Sequence, residues 1–544
     1  MKKYIKNTVL SLALVSLLGA CKEQLDVKNP NQPTPSSAST ETGVIGLAQG
    51  SVYINGFKDG IKYYDGIPGY FWTGAVGFHE MMGDVVGEEA ANVYGNQIGM
   101  PDVVILDDGT KVLNPSAINS QIALIRTINT NANAGANPLF YEWGYMYNLN
   151  NAMNNVIDIA KTTTFSGDAT SSAAKKNTVL AWAYWWKGYA YSRIGSIYYA
   201  GLINDKTAAT NANYVTKEKI IDEANKNLDQ AAALLTALGT DANYTATITA
   251  LIPQFNQVGK GVPPTTDMWK RSINTLKARN ILVNTTAAAM TAAQWGQILT
   301  LTNDGVKSTD NVFTGRSTDN ADFISSVNGS MAAKSTGVPG TVTYKISERL
   351  IQDFPAGDKR LTNNFTQLAA PALFNSDRGN SFNTRWQLVS GGKGQAGVVV
   401  LSNLTVGAYE LYLASTYEEN ELMKAEAKIY TGDIAGGLAS IDAVRSFQGA
   451  GLAPLSGLSL ADAKEALRKE RRVGLVFRGL SFYDARRWEV ITKGRTGAVV
   501  VDKAGKVNTN ATIQYNFLDY WDVPDNELAY NPAAAGSAPI KNPK

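Results

Sequence analysis

Histidine and cysteine, which build most metal centres and much acid–base and redox chemistry, are almost missing from this chain. It holds one of each, His79 and Cys21. A His-based metal cluster is therefore excluded, and the lone cysteine has no partner for a disulfide. A Ser-His-Asp triad would have to use His79, and no G-x-S-x-G elbow stands near a predicted strand. His79 instead reads as an exposed or hydrogen-bonded loop residue, and no motif calls for a cofactor. An excess of one charge is missing as well. The sequence carries 50 Lys+Arg against 47 Asp+Glu, and three of the lysines (Lys2, Lys3, Lys6) fall in residues 1–20, which contain no acid. Without that segment basic and acidic residues balance, which argues against a nucleic-acid partner. Also lacking is any stretch of the ~20 apolar residues that a membrane-spanning helix requires.

What is present is a globular composition, 44% apolar and 18% charged over 544 residues, and length alone suggests about three or four domains. The start of the chain has the shape of a secretory signal: a basic segment to Lys6, then the apolar run VLSLALVSLLGA ending at Cys21. Its last residues, Leu18-Gly19-Ala20-Cys21, resemble a bacterial lipoprotein signal, in which cleavage precedes a cysteine that is then acylated. The expectation is a signal peptide over 1–20, lipidation at Cys21, and a polar Pro/Ser/Thr-rich tether over 21–40. Residues 41–544 would then form a single body outside the bilayer.

Helical periodicity dominates that body. TGVIGLAQGSVYINGF (42–57), FYEWGYMYNLNNAMNNVIDIAK (140–161) and NTVLAWAYWWKGYAYSRIGSIYY (177–199) carry apolar residues three or four apart. The third is aromatic on more than one face, as a helix buried from two sides would be. Its Tyr184, Gly188 and Tyr191 stand at i, i+4 and i+7, which lets a neighbouring helix approach at the glycine, as in tetratricopeptide repeats. Helical patterns continue at 216–235, 267–285 and 291–308. In the stretch Tyr417–Trp488 two helices flank a Gly432-Asp433 turn, and a charge-dense helix follows. The predicted fold is mainly α: tetratricopeptide-like helical pairs with long irregular loops and a few short strands.

The loops, about 58–138 and 309–410, are rich in Gly, Asn and Asp and carry aromatics, among them Tyr70, Trp72, Tyr94, Phe313 and Trp386. Loops of this length in a compact protein are usually functional or disordered, and the aromatics favour function. GTVTYKI and GVVVLSNLTV within the second read as small strands. A glycosidase needs only two carboxylates; Asp84, Glu88, Glu89, Glu418, Glu419 and Glu426 can be nominated, but none stands out. Glu470 falls on the apolar stripe of its helix with Ala466, Val473 and Phe477, and arginines crowd nearby at 471, 472, 478, 486 and 487. A structural ion-pair cluster involving Glu470, Arg486 and Arg487 is the expectation there.

Several motifs, in order along almost the whole chain, carry a resemblance. They are Trp143-x-x-x-Tyr147 with Asn154-Asn155-x-Ile157, the helix AYWWKGYAYSRIG, LKARNILV, ISERLIQDFPAGDKR, ELMKAEAKIYTGD followed by IDAVR, the run from Glu470 to Trp488, and the closing WDVPDNELAYNP. Together with the lipoprotein cysteine they resemble the SusD-like (RagB/SusD) outer-membrane lipoproteins of Bacteroidetes. The chain departs from that pattern at Gly474 and Arg478, where acids are common, and at Lys187, where arginine is usual.

The resemblance implies a helical scaffold whose loops form a ligand face. It also implies a non-enzymatic role at the cell exterior, lipid-anchored in the outer membrane. There the protein would bind an oligosaccharide, or in some members a peptide, and pass it to a SusC-like TonB-dependent transporter. Sugar rings have apolar faces that lie on aromatic side chains, while Asn, Asp and Arg take the hydroxyls. Tyr70, Trp72, Tyr94, Arg385 and Trp386 are the ligand-binding candidates. A surface glycoside hydrolase and a purely structural adaptor of the transporter remain the rival readings.

Overall fold

The computed structural model describes residues 38–53, 77–88, 95–133, 137–207, 209–315, 344–373, 379–389, 392–393 and 410–544. Cys21, Tyr70, Trp72 and Tyr94, and the strand expected at 397–406, lie outside them. Among the described residues no helix is long and apolar enough to cross a membrane.

The principal helices are α1 (Glu41–Tyr53), α2 (Gly77–Met82), α3 (Gln121–Ile128), α4 (Pro138–Thr162), α5 (Ala169–Ile197), α6 (Lys217–Leu238), α7 (Ala242–Leu251), α8 (Thr266–Leu282), α9 (Ala292–Asn303), α10 (Glu348–Gln352), α11 (Lys359–Asn364), α12 (Tyr417–Tyr430), α13 (Ile434–Phe447), α14 (Leu460–Gly474) and α15 (Ser481–Arg487). Their starts follow local chemistry. Asn137 caps α4 ahead of Pro138, and Asp168 accepts the Ser171 N–H at 2.8 Å to open α5. Helices α4, α5, α6, α8, α9, α12, α13 and α14 pack each on the next, giving the tetratricopeptide-like scaffold.

Gly188 explains one of these close approaches. A β-carbon there would lie 2.7 Å from Leu228 Cδ2 and 3.2 Å from the Ala224 carbonyl, so α5 and α6 pack backbone to side chain. Between α12 and α13, Gly432 supplies a φ of +95°, and Asp433 accepts the Gly436 N–H at 2.9 Å to begin α13. The aromatic helix α5 is buried all round at Trp182, Trp185 and Trp186, and one hydrophobic core extends from Val44 to Val523.

Two expectations need correction. Phe313, expected as a ligand-face aromatic, is 2% exposed and packs against Trp182, Trp185, Trp186 and Trp269 at centroid distances of 5.2–5.9 Å. That apolar pocket between α5 and α8 buries more of its ring than a solvent-facing loop could. The 58–138 stretch, expected to be irregular, supplies α2, α3 and three strands. These are β1 (Val86–Glu88), β2 (Val103–Ile105) and β3 (Lys111–Leu113). The other described strands of three residues or more are β4 (Tyr344–Ile346, within GTVTYKI), β5 (Phe365–Ala372), β6 (Thr384–Leu388), β7 (Arg495–Val501) and β8 (Val507–Gln514). An antiparallel sheet of order β7-β8-β2-β3 joins the two ends of the body, with Ile513 opposite Val104 and Val103 opposite Leu113.

Candidate functional site

Short strand pairs hold the ends of the long insertions side by side. Glu88, the last described residue before 89–94, lies opposite Tyr344, the first described after 316–343. Gly315 and Leu411 pair in the same way at the other borders of 316–343 and 394–409. The β5–β6 hairpin flanks 374–378, with Gln367 opposite Trp386. Binding loops are commonly held by paired elements at their ends.

Of the five ligand-binding candidates, the described structure contains Arg385 and Trp386, both on β6. Arg385 is clamped onto Glu348. Its N–H and Nη2 donate to the two carboxylate oxygens at 2.7 Å each, and Nε donates to both at 3.2 Å. This fork raises the Arg385 pKa above its ordinary value. Trp386 is half-buried and packs on the main core. Its indole N–H lacks an acceptor, but so do those of Trp185, Trp186, Trp269 and Trp521, so this does not single out Trp386. Successive strand residues alternate faces, so Arg385 and Trp386 leave the hairpin on opposite sides.

The charge-dense run forms a buried lattice that differs from the sequence expectation in its partners. Glu470 binds Arg360 (2.5 and 3.0 Å) and Arg445 (2.9 Å), not the arginines adjacent in sequence. Those neighbours leave the helix on other faces: Arg471 reaches Asp484 at 2.9 Å and Arg472 reaches Asp353 at 2.7 Å. Arg487 is ion-paired with Glu426 and with Asp484 (2.7 Å). Burial would raise the Asp484 pKa, but Arg471 and Arg487 outweigh it and hold the carboxyl below its ordinary value.

Arg486, expected to be an ion-pair partner, makes no ion pair among the described residues. It donates instead to the carbonyls of Val283 (2.7 Å), Ser196 (2.8 Å) and Asp519 (3.0 Å). Val283 and Ser196 lie at the C-terminal ends of α8 and α5, where orphaned carbonyls and the helix dipole favour a cation.

Four of the six acids nominated for catalysis, Asp84, Glu418, Glu419 and Glu426, face arginines, and Glu89 lies outside the described residues. Asp84 is forked by Arg349 at 2.6 and 2.9 Å, Glu419 by Arg279 at 2.5 Å twice, and Glu426 by Arg487. Glu418 lies 3.8 Å from Arg478. His79 is in α2 rather than a loop and is fully buried. Its Nε2 lies 2.9 Å from Glu142, which Arg193 holds at 2.6 Å, and burial lowers the His79 pKa. Glu80 accepts from the Gly479 N–H at 2.6 Å and the Ser481 hydroxyl at 3.2 Å, and burial pushes its pKa up to about 7. A neutral histidine beside a raised carboxylic acid would suit general acid–base work, yet both are sealed from solvent.

The remaining motifs tie distant segments together. Trp143 Nε1 donates to Glu527 in the closing motif at 3.1 Å. The Tyr147 hydroxyl donates to the Leu202 carbonyl at 3.0 Å, while Asn150 and Asn154 donate to the Asn204 carbonyl at 2.7 and 2.8 Å. Lys187, which stands where arginine is usual, reaches Asp205 at 3.0 Å.

This architecture is shared with known proteins. Residues 417–535, from α12 through the lattice to the closing motif, match the model of the SusD family. A SusD-like protein from Bacteroides fragilis superposes with a TM-score of 0.54 at 14% identity, over 92% of this chain and 97% of that one. A SusD superfamily protein from Parabacteroides distasonis does so with 0.55 at 13% identity, over 92% and 98%. A third structure, determined with xylogluco-oligosaccharide, gives 0.55 at 14% identity, over 92% and 99%. No curated protein matches the sequence. The family match lies on the buried lattice and the helical scaffold follows SusD-like structures, so the chain has the SusD-like fold and is similar to that family over residues 417–535.

Proposed function

We propose that this chain is a cell-surface lipoprotein that binds an oligosaccharide and hands it to a partner TonB-dependent transporter in the outer membrane. The observation that carries the reading is the SusD-like scaffold itself, a fold shared with a protein crystallised with xylogluco-oligosaccharide. The insertions rooted on strand pairs supply the variable surface, and Trp72, Tyr70, Tyr94 and Trp386 supply flat apolar faces for sugar rings. The signal-like start ending at Cys21 supports acylation and anchoring to the membrane. Catalysis is disfavoured by the arginine partners of Asp84, Glu419 and Glu426 and by the burial of His79 and Glu80.

Calorimetric titration of the soluble body with xylogluco-oligosaccharide and a wider glycan panel tests this reading. At least one oligosaccharide is expected to bind, and Trp72→Ala and Trp386→Ala are expected to weaken it about tenfold or more. Unchanged affinity in either variant removes that residue from the ligand face. Binding confined to a peptide library moves the ligand class from glycan to peptide.

A further inference from the structure

A cavity of about 320 Å³ opens between the C-terminal half of α14, the end of α10 and the start of β7. Four cationic side chains line it: Arg468, Lys469, Arg472 and Arg495. So do four carboxylates, Asp84, Asp353, Glu465 and Asp484, but two of these are committed to arginines outside the lining. Asp84 is forked by Arg349, and Asp484 is bound by Arg471 and Arg487. Asp353 and Glu465 are left to balance the four cations.

Asp353 is shared three ways, with Arg468 (2.8 Å), Arg472 (2.7 Å) and Arg495 (3.1 Å). Glu465 is forked by Arg468 and stands 3.7 Å from Lys469. The Nη atoms of Arg472 go to neutral acceptors, the carbonyls of Gly83 and Asp84, at 2.6 and 2.7 Å. Arg495 has Asp353 as its single hydrogen-bond acceptor among the described residues, through Nη2, which leaves Nε and Nη1 as free donors in a side chain only 15% exposed. Neither nitrogen is sealed from solvent, so an acceptor that enters the cavity can meet them. Burial lowers the Arg495 pKa; Asp353 opposes that shift, while Arg472 and Arg468 add to it.

We infer that this cavity is a binding site for a small oxyanion, a carboxylate, sulfate or phosphate group on a ligand no larger than a monosaccharide. Its oxygens accept from a free N–H of Arg495, at Nε or Nη1, with Lys469 at the mouth. A guanidinium N–H and a lysine ammonium each donate a charge-assisted hydrogen bond to an oxyanion. Trp488, Ile491 and Ala485 give the cavity an apolar wall suited to the carbon frame of such a ligand. The inference does not rest on the glycan reading, because the cavity uses neither Arg385 nor Trp386.

The test is titration of the soluble body with glucuronate, galacturonate, sulfate and inorganic phosphate at low ionic strength, with glucose as the neutral control. At least one anion is expected to bind and glucose is not. Affinity is expected to fall as salt rises. Arg495→Met is expected to weaken the anion about tenfold or more, and Lys469→Glu, at a side chain 42% exposed and tolerant of change, about threefold or more. Which anion binds assigns the source of the oxyanion group. No binding by any of the four, equal binding of glucose, or full affinity in Lys469→Glu overturns the inference. Should Arg495→Met fail to fold, Lys469→Glu and the salt dependence decide. Loss of this site would leave neutral-oligosaccharide binding intact, so the two readings fail separately.

Discussion

Replacing Glu470 by alanine probes the buried lattice at its most connected carboxylate. Glu470 is 1% exposed and holds two arginines from different elements, Arg360 of α11 and Arg445 of α13. Removing one partner of a buried pair costs roughly 3–5 kcal/mol, because the remaining charge is stranded. Here both survivors keep a fallback. Arg360 still reaches Asp358 (2.7–3.2 Å) and Gln448 (2.9 Å), and Arg445 stands 3.7 Å from Asp442. The expected loss therefore lies at the low end, about 3 kcal/mol, a large share of the ~5–15 kcal/mol that stabilises a typical protein. Urea unfolding followed by fluorescence of the buried tryptophans should show a lower midpoint with an unchanged slope. Glu470→Gln keeps the acceptor oxygen and should lose less. Ligand affinity of the folded fraction should not move. A midpoint equal to wild type, or a stable variant that has lost its ligand, would refute the clamp role.

Gly188→Ala should destabilise by roughly 1–2 kcal/mol in the same assay, because overpacking against Leu228 (about 1–3 kcal/mol) exceeds the ~1 kcal/mol gain in helix propensity. Pairing it with Leu228→Ala should give less than the sum of the single losses, whereas strict additivity would mean that the two helices do not meet at Gly188. For Glu80, whose pKa is raised from 4.5 to about 7, the favourable contribution is complete below pH 4.5 and is lost as pH rises through 7. Wild type should therefore lose on the order of 3 kcal/mol relative to Glu80→Gln between pH 4 and pH 8, and parallel stability curves for the two proteins would contradict the buried-acid assignment.

How much of this was readable from residues alone depended on the range of the interaction. Helices α4, α5, α6, α8, α9 and α12 to α14 announced themselves through apolar period, a signal contained within each helix. The β7–β8 hairpin was missed although RTGAVVVDKAGKVNTNATIQ carries a signal: two β-prone runs around a Gly-containing turn at Asp502–Lys506, with alternating burial through Ala511, Thr512 and Ile513. Phe313 looked like a loop aromatic because its burial comes from α5 and α8, distant in sequence. Glu470 was legible as buried, but its partners were not. Arg360 lies 110 residues away, while the adjacent Arg471 leaves the helix on another face. The free donors of Arg495 likewise depend on which carboxylates Arg349, Arg471 and Arg487 occupy.

The most direct measurement is to saturate the soluble body with a defined oligosaccharide, follow binding by calorimetry, then recover the ligand and determine its mass. The account predicts saturable binding and an oligosaccharide returned at its original mass with no new reducing ends. Shortened products, or the absence of binding across a broad glycan panel, would contradict it.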